Sequence, residues 1–467
     1  MTGRSDMPDN STARIARVIA DLRPSTALLH RQTAACSLSD RMAHFASPGV
    51  SIAVVDDGRV AWERGFGVRT NGRPEPVGAD TLFQAGSVSK PVFALGAMYL
   101  VQQEQIALDS DIQQYLTSWR IPPNGDWIPR VTLRQLLSHT AGVSVHGFAG
   151  YPATGPWPTL IQVLNGSPPA NNFPVIVDLI PGLQLRYSGG GMTIAQAAMM
   201  DGLGRPFPEI MRELIFDPLA LENTTFAQPL PADLAARSAT AHPWNGVAKP
   251  DRWHVYPEMA AAGLWTTAGD LARIGCAFLR NLQGERSPLG LSRETASEML
   301  KPQLPTNEGG DFFGLGWECG GKGDAFHCRH NGWNEGFVAG VWLYPAAGKG
   351  AAIMINSNQG WPLRDEIKEA IAREYDWPRS TSETTAQLLP TAVEGIYRAE
   401  RGGVCEVAID GAMLMLSINK QRPVVFMLKG SDFVSISVNA LLQFLPSMEA
   451  ATTMVLKQGG QTFHFEK

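Results

Sequence analysis

Short runs of strand character lie near both ends of the first 360 residues of this chain, and the long stretch between them carries almost none. Val50-Ser51-Ile52-Ala53-Val54-Val55 and Val60-Ala61-Trp62-Glu63 read as strands. Asp56-Asp57-Gly58-Arg59 joins them with the residues of a tight hairpin. Gly65 to Gly78 is rich in Gly and Pro and reads as loop. From Pro91 to about residue 300 the pattern is helical and loop-rich, with helix starts at Thr132-Leu133-Arg134-Gln135 and Thr267-Ala268-Gly269-Asp270. Strand character returns in Gly336–Tyr344 and Gly350–Asn356, joined by Pro345-Ala346-Ala347-Gly348. Strands at both ends of a helical stretch can share one sheet, whereas alternating β-α units would spread them evenly. The expectation is therefore an α+β fold: an antiparallel sheet with flanking helices and a helical insertion.

The pattern changes again after Trp377. Pro378-Arg379-Ser380-Thr381-Ser382-Glu383-Thr384-Thr385 is polar and reads as part of a linker over 378–388. Beyond it, β runs recur at Val404–Ile409, Met413–Ile418, Val424–Leu428, Phe433–Val438, Thr453–Leu456 and Thr462–Phe465. They are punctuated by Asp410-Gly411, Lys429-Gly430 and Gly459-Gly460. This predicts a small C-terminal antiparallel β-barrel over 389–467, behind a main domain over 1–377.

Several function classes lose support early. Both signs of charge are spread along the chain, the net charge is −5, and no basic stretch tracks phosphates, so nucleic acid is not an expected partner. Near the start, Arg14, Arg17, Asp21 and Arg23 interrupt the apolar pattern. Ile15, Val18, Ile19 and Leu22 read as one face of a helix rather than a signal peptide. No run approaches the ~18 apolar residues of a membrane span. The five cysteines, Cys36, Cys276, Cys319, Cys328 and Cys405, are odd in number and irregular in spacing. That predicts free thiols and a cytoplasmic setting. The sequence fixes no oligomeric state.

Chemistry concentrates in Gln84-Ala85-Gly86-Ser87-Val88-Ser89-Lys90-Pro91. A serine before an apolar helix is commonly a cap, and S-x-x-K alone is a frequent chance match. On a helix, however, positions three apart share a face. Lys90 could then draw the proton from the Ser87 hydroxyl, provided burial lowers its pKa. Two more segments could complete such a site. Arg186-Tyr187-Ser188-Gly189-Gly190-Gly191 places a phenol beside a flexible glycine run, where it could shuttle a proton. Cys328-Arg329-His330-Asn331-Gly332-Trp333-Asn334-Glu335-Gly336-Phe337 puts a polar H-x-G before a strand, with a glycine that could admit substrate backbone.

In that order the three segments resemble the motifs of the class C β-lactamase-like serine hydrolases. These include penicillin-binding-protein-like peptidases, family VIII carboxylesterases and D-stereospecific aminopeptidases. The resemblance runs from about residue 40 to 360. It extends to Pro48–Val55, Leu136-Leu137-Ser138-His139-Thr140-Ala141-Gly142 and Ala262-Gly263-Leu264-Trp265-Thr266-Thr267. The tail from about residue 390 resembles the lipocalin-like domain of some members. The resemblance implies a β-lactamase/transpeptidase-like fold and an acyl-enzyme on Ser87, with Lys90 and Tyr187 handling the proton. It places His330 and Gly332 in the third motif, and the N–H groups of Ser87 and Trp333 in an oxyanion hole. His139 would belong to a structural turn. No cofactor is implied.

Two departures bear on substrate. The second motif ends in Gly189 where β-lactamases usually carry Asn. The third begins with His330 where they usually carry Lys, a fixed cation for the carboxylate of a β-lactam, whereas histidine is mostly neutral at pH 7. Esters, amides and peptides become the expected small-molecule substrates. A catalytically impaired penicillin-binding or sensor protein is the alternative. Glu335 could meet a substrate amine, and Trp265 and Trp333 could line an apolar acyl pocket. Cys319, His327, Cys328 and His330 lie close together but lack the C-x-x-C spacing of zinc sites, so no metal is expected. Gly320–Asp324 lacks the P-loop pattern. The chain contains no G-x-S-x-G elbow, which argues against an α/β-hydrolase.

Overall fold

The computed structural model describes residues 10–23, 35–243, 246–304, 311–378, 389–399, 402–410, 413–419, 424–429, 432–435, 440–458 and 461–467. These fall into two compact units, separated at the 379–388 stretch. The predicted linker, apart from Pro378, lies outside the described residues, as do Gly411, Gly430, Gly459 and Gly460 of the predicted turns.

The strands of the first unit are, in chain order, β1 (Gly49–Asp56), β2 (Arg59–Gly67), β3 (Phe83–Gln84), β4 (Tyr151–Pro152), β5 (His254–Val255), β6 (Trp265–Thr266), β7 (Phe312–Phe313), β8 (Glu318–Gly320), β9 (His327–Asn334), β10 (Phe337–Tyr344) and β11 (Lys349–Ile355). Seven of them form one sheet in the order β2-β1-β11-β10-β9-β8-β7. β1 and β11 are central neighbours, paired Ile52 to Ile353, although the whole helical insertion separates them in sequence. The β1–β2 turn has Asp57 and Gly58 at φ 51° and 66°, the left-handed pair that a two-residue hairpin requires. β2 runs to Gly67, so the predicted Gly65–Gly78 loop begins three residues later than expected.

Both faces of the sheet are covered, and strand periodicity sorts the side chains between them. Val50, Ile52 and Val54 of β1 face one core with Ile353 and Ile355 of β11. Helices Asn10–Ala20 and Gly360–Glu374 cover that side through Ile15, Val18, Leu363, Ile367 and Ile371. Ala53 and Val55 point the other way, with Ala352 and Met354, toward helices Ser89–Gln102 and Ala268–Gln283. Successive side chains on a strand alternate faces, so a strand buried on both reads as an unbroken apolar run. Residues Gly49 to Val55 are all buried.

Helix Ala268–Gln283 begins where Thr267 Oγ1 accepts the Asp270 N–H at 3.0 Å, and it ends at Gly284 in the left-handed region. Helix Leu133–Leu137 carries a reciprocal capping box between Thr132 and Gln135. Helix Ser89–Gln102 starts two residues before the predicted Pro91. That proline sits in its first turn, where an N–H has no helical partner anyway. Eleven of its fourteen residues are buried, so it runs through the core rather than over it.

The second unit is an eight-stranded antiparallel barrel: β12 (Gly395–Arg398), β13 (Val404–Asp410), β14 (Met413–Ile418), β15 (Val424–Lys429), β16 (Asp432–Ser435), β17 (Ala440–Leu445), β18 (Thr453–Gln458) and β19 (Gln461–Glu466). Each strand pairs with the next, and β12 closes on β19 through Arg398 and Glu466. This up-and-down order is the architecture of lipocalins. Its interior holds Tyr397, Leu414, Phe426, Phe433, Leu442 and Phe444. The sequence reading found six of these strands and missed β12 and β17. β12 is short and opens on glycine. β17, Ala-Leu-Leu-Gln-Phe-Leu, is made mostly of good helix formers, and only its place in the barrel makes it a strand. Residues 436–438 of the predicted Phe433–Val438 run lie outside the described residues.

Candidate active site

Ser87 lies in the 3-10 turn Gly86–Val88, immediately before helix Ser89–Gln102. It caps nothing: the helix has Val88 at its N-cap and no side-chain capping bond. The neighbouring Ser89 satisfies the local backbone instead. Its hydroxyl donates to the Gly86 carbonyl at 2.6 Å and accepts from Leu264 N–H at 3.0 Å. Ser87 is thereby left to face Lys90, whose Nζ stands 2.8 Å from Ser87 Oγ and 2.8 Å from the Ala261 carbonyl oxygen. Tyr187 faces Ser87 across a shared cavity and interacts with it electrostatically, and Lys90 Nζ lies 4.9 Å from the centroid of its ring.

Burial sets the protonation of this group. Lys90 is 2% exposed and has no carboxylate partner among the described residues, so desolvation brings its pKa down to about 7. Desolvation drives the Tyr187 phenol the opposite way, well above its ordinary value, and the interaction with Ser87 offsets only part of that. Near neutrality the amine is therefore a competent proton acceptor and the phenol a retained donor. Pushing two neighbouring groups apart in this way separates a base from an acid.

Tyr187 is placed by its surroundings. Ser188 caps helix Gly189–Leu203 by accepting the Gly191 N–H at 3.0 Å. The His139 ring lies against Tyr187 at 4.2 Å between centroids, with Phe313 at 5.9 Å. His139 Nδ1 accepts the Ser188 N–H at 3.2 Å, and its carbonyl accepts the Arg186 N–H at 2.8 Å. The turn histidine assigned no chemistry by the sequence thus holds the tyrosine segment from two sides. Burial keeps its ring neutral. Gly189, at the start of the same helix, is closely enclosed: a Cβ there would lie 3.1 Å from the Phe148 ring.

The third motif lies on β9. His330 is 4% exposed, and its Nδ1 is 2.7 Å from the Asn331 carbonyl oxygen. Desolvation, with Lys90 adding to it, lowers its pKa to about 3. It is a neutral ring, not a substitute for a lysine. Gly332 does not open space for substrate as expected. A Cβ there would lie 1.9 Å from the Ala85 carbonyl oxygen, so the glycine lets β9 lie against the turn that holds Ser87. Gly86, at φ 52°, meets Trp333 from the other side, where a Cβ would be 2.6 Å from Trp333 N. Asn334 ties the parts together, donating to Gln84 Oε1 at 2.9 Å and to the Ala262 carbonyl at 3.0 Å.

These residues open onto a cavity of about 690 Å³ lined by Ser87, Lys90, Tyr187, Gly189, His330, Trp333 and Glu335, with His146, Phe148, His254, Phe313 and Trp361 completing the walls. Trp333 is 37% exposed. Trp265 does not line this cavity. It is fully buried against Trp253 and Phe337, so the acyl-pocket role expected for it gives way to a core role. Ala261, whose carbonyl holds the lysine, carries no chemical signal in sequence. Neither does Glu258, a fully buried carboxyl raised to about 8 by desolvation, with Tyr151 at 3.3 Å.

The antiparallel sheet with its helical insertion and the cluster of Ser87, Lys90 and Tyr187 agree with the family that the sequence motifs resemble. Residues 38–375 match the family model described as Beta-lactamase, and the chain belongs to that family. A β-lactamase from Pseudomonas fluorescens is 27% identical over 231 residues, which are 48% of this chain and 57% of that protein. The chain thus spans little more than half of that relative. The D-alanyl-D-alanine-carboxypeptidase/endopeptidase AmpH of Escherichia coli K12 is 22% identical over 66% of this chain and 79% of its own length. The octameric penicillin-binding protein homologue from Pyrococcus abyssi superposes with a TM-score of 0.62 at 20% identity, covering 92% of this chain and 98% of that one. That coverage reaches into the C-terminal barrel as well as the sheet unit.

Proposed function

We propose that this protein is a serine hydrolase or acyltransferase that cleaves an ester or amide bond through an acyl-enzyme on Ser87, as an esterase or a D-amino-acid-type peptidase or amidase. The observation that carries the reading is the 2.8 Å approach of Lys90 Nζ to Ser87 Oγ beneath the Tyr187 phenol. Neutral Lys90 takes the hydroxyl proton as Ser87 Oγ bonds to the acyl carbon. The N–H groups of Ser87 and Trp333 receive the oxyanion. The proton passes by way of Lys90 and Tyr187 to the leaving oxygen or nitrogen, and the C–X bond breaks. Water, giving its proton to Lys90, then releases the acid; an alcohol or amine in place of water gives acyl transfer.

Neutral His330 supports substrates that lack a carboxylate at this position, because β-lactams and carboxypeptidase substrates need a cation there. The competing reading is a penicillin-binding sensor. It draws support from Gly189, which supplies no amide for the lysine. It is disfavoured by the same neutral histidine. Incubation with a fluorophosphonate, followed by mass mapping, is expected to label Ser87. A p-nitrophenyl acyl ester should turn over and D-alanine p-nitroanilide separates the peptidase branch. Ester turnover that survives unchanged in Ser87→Ala overturns the reading. A stable penicillin adduct without product release favours the sensor.

No helix among the described residues is long and apolar enough to cross a membrane, and none of the five cysteines forms a disulfide with another described residue. The thiols support a cytoplasmic location, which cell fractionation with thiol alkylation tests.

A further inference from the structure

The polar groups on the cavity wall have an uneven balance of donors and acceptors. His330 Nδ1 faces a carbonyl oxygen, which only accepts, so Nδ1 carries the ring proton of the neutral imidazole. Its Nε2 is then a lone pair, and it is buried with no hydrogen-bond partner. Glu318 is bound to Arg329 at 2.7 Å. The buried Arg364 is turned away to Asn331 Oδ1 at 2.8 Å and to Asp365, under the Trp361 ring. His254 commits its Nδ1 to the Ala149 carbonyl at 2.9 Å, and partial desolvation, with Lys90 adding to it, lowers the pKa of the His146 ring below its ordinary value. Lys90 is enclosed at the cavity floor with Ser87. Glu335 is left. It is half-buried and lines the cavity, and no described residue forms an ion pair or a side-chain hydrogen bond with its carboxylate. Its backbone is fixed, since its N–H donates to the Tyr256 hydroxyl at 3.2 Å.

We infer that the cavity selects substrates bearing a protonated amine on the acyl side, held by the Glu335 carboxylate beside the exposed face of Trp333. The inference rests on the acyl-enzyme reading above and specifies its substrate class. Glu335 follows Trp333 by two residues, in the Glu335-Gly336 turn between β9 and β10, so the two backbones lie at most about 7 Å apart. An acyl carbonyl seated on Trp333 N–H therefore brings an α-amine within reach of a glutamate side chain. An ammonium satisfies the carboxylate and favours an aromatic face. A substrate carboxylate in the same place meets like charge and finds no available cation on this wall.

The test compares the p-nitrophenyl ester of alanine with that of N-acetylalanine, in both enantiomers, on the full chain. The free-amine ester is expected to be preferred in kcat/KM. Glu335→Gln should lower that preference by roughly tenfold to a hundredfold, the range for a charge-assisted hydrogen bond. Glu335→Lys should reverse it in favour of a succinyl ester. Equal turnover of both esters by the unaltered protein, or a preference that Glu335→Gln leaves intact, overturns the inference while the hydrolase reading stands. No turnover of either ester, with Ser87 unlabelled by fluorophosphonate, overturns both.

Discussion

The two walls of the cavity handle polar groups in opposite ways. On the Ser87 wall desolvation sets the protonation of Lys90, Tyr187 and His139. Lys90 is lowered to about 7, Tyr187 is raised, and His139 is kept neutral. Each is also anchored to backbone or a neighbouring ring: Lys90 to Ala261, His139 to Ser188, Tyr187 to His139. On the Trp333 wall, beyond the buried His330, Trp333 is 37% exposed and Glu335 half-buried, and no described residue forms an ion pair or side-chain hydrogen bond with the Glu335 carboxylate. Desolvation creates reactivity on one side. Exposure on the other leaves groups free to exchange water for substrate. Changes on the first wall should therefore alter the rate of chemistry, and changes on the second should alter which substrate is chosen.

The largest effect tests the first wall directly. Ser87→Ala is expected to lower kcat by roughly ten-thousandfold or more, as loss of a nucleophile does elsewhere. Burst kinetics and covalent labelling should vanish with it. Residual activity above one part in a hundred would place the nucleophile elsewhere.

Lys90→Met comes next, at about a thousandfold in kcat, within the usual range for a general base. The unaltered enzyme should show the matching pH dependence. The lysine's pKa is lowered to about 7, and only its neutral form accepts a proton. Activity therefore falls as pH drops below 7 and rises toward a plateau by about pH 8, one pKa unit above the midpoint. Kinetics between pH 5 and 9 measure this, and a flat profile removes Lys90 from the role.

Tyr187→Phe keeps the ring packing against His139 and deletes the hydroxyl. The expected loss is about a hundredfold in kcat with little change in KM. An equal rise in KM would make the phenol a binding group and blur the contrast between the walls.

The smallest effect comes from His330→Lys. A cation there adds to the electrostatic pressure on Lys90, so the acid limb should move to lower pH by a fraction of a unit. It also supplies the missing partner for a carboxylate, so penicillin should acylate Ser87 faster, as read by mass spectrometry. If the midpoint does not move, His330 and Lys90 are not electrostatically linked.

Much of this was legible in the chain itself. The β1–β2 hairpin and the β10–β11 pair follow from apolar alternation and turn residues. The 3-residue spacing of Ser87 and Lys90 places them on one helical turn wherever the helix lies. Those are local or periodic properties, and backbone sterics and hydrogen bonding enforce them before any packing occurs. That Tyr187 and β9 meet that turn is instead what the resemblance of the three ordered motifs implies. The tertiary structure alone decided the rest. It made Gly332 a packing requirement against Ala85 rather than an opening for substrate. It buried Trp265, turned His139 into the support of Tyr187, made β17 a strand against its residues' preference, and left the Glu335 carboxylate without an ion pair among the described residues. Each of these depends on which atoms from distant segments occupy the surrounding volume and on how much water remains. Desolvation and close packing arise only when those segments meet, so no window of sequence contains them.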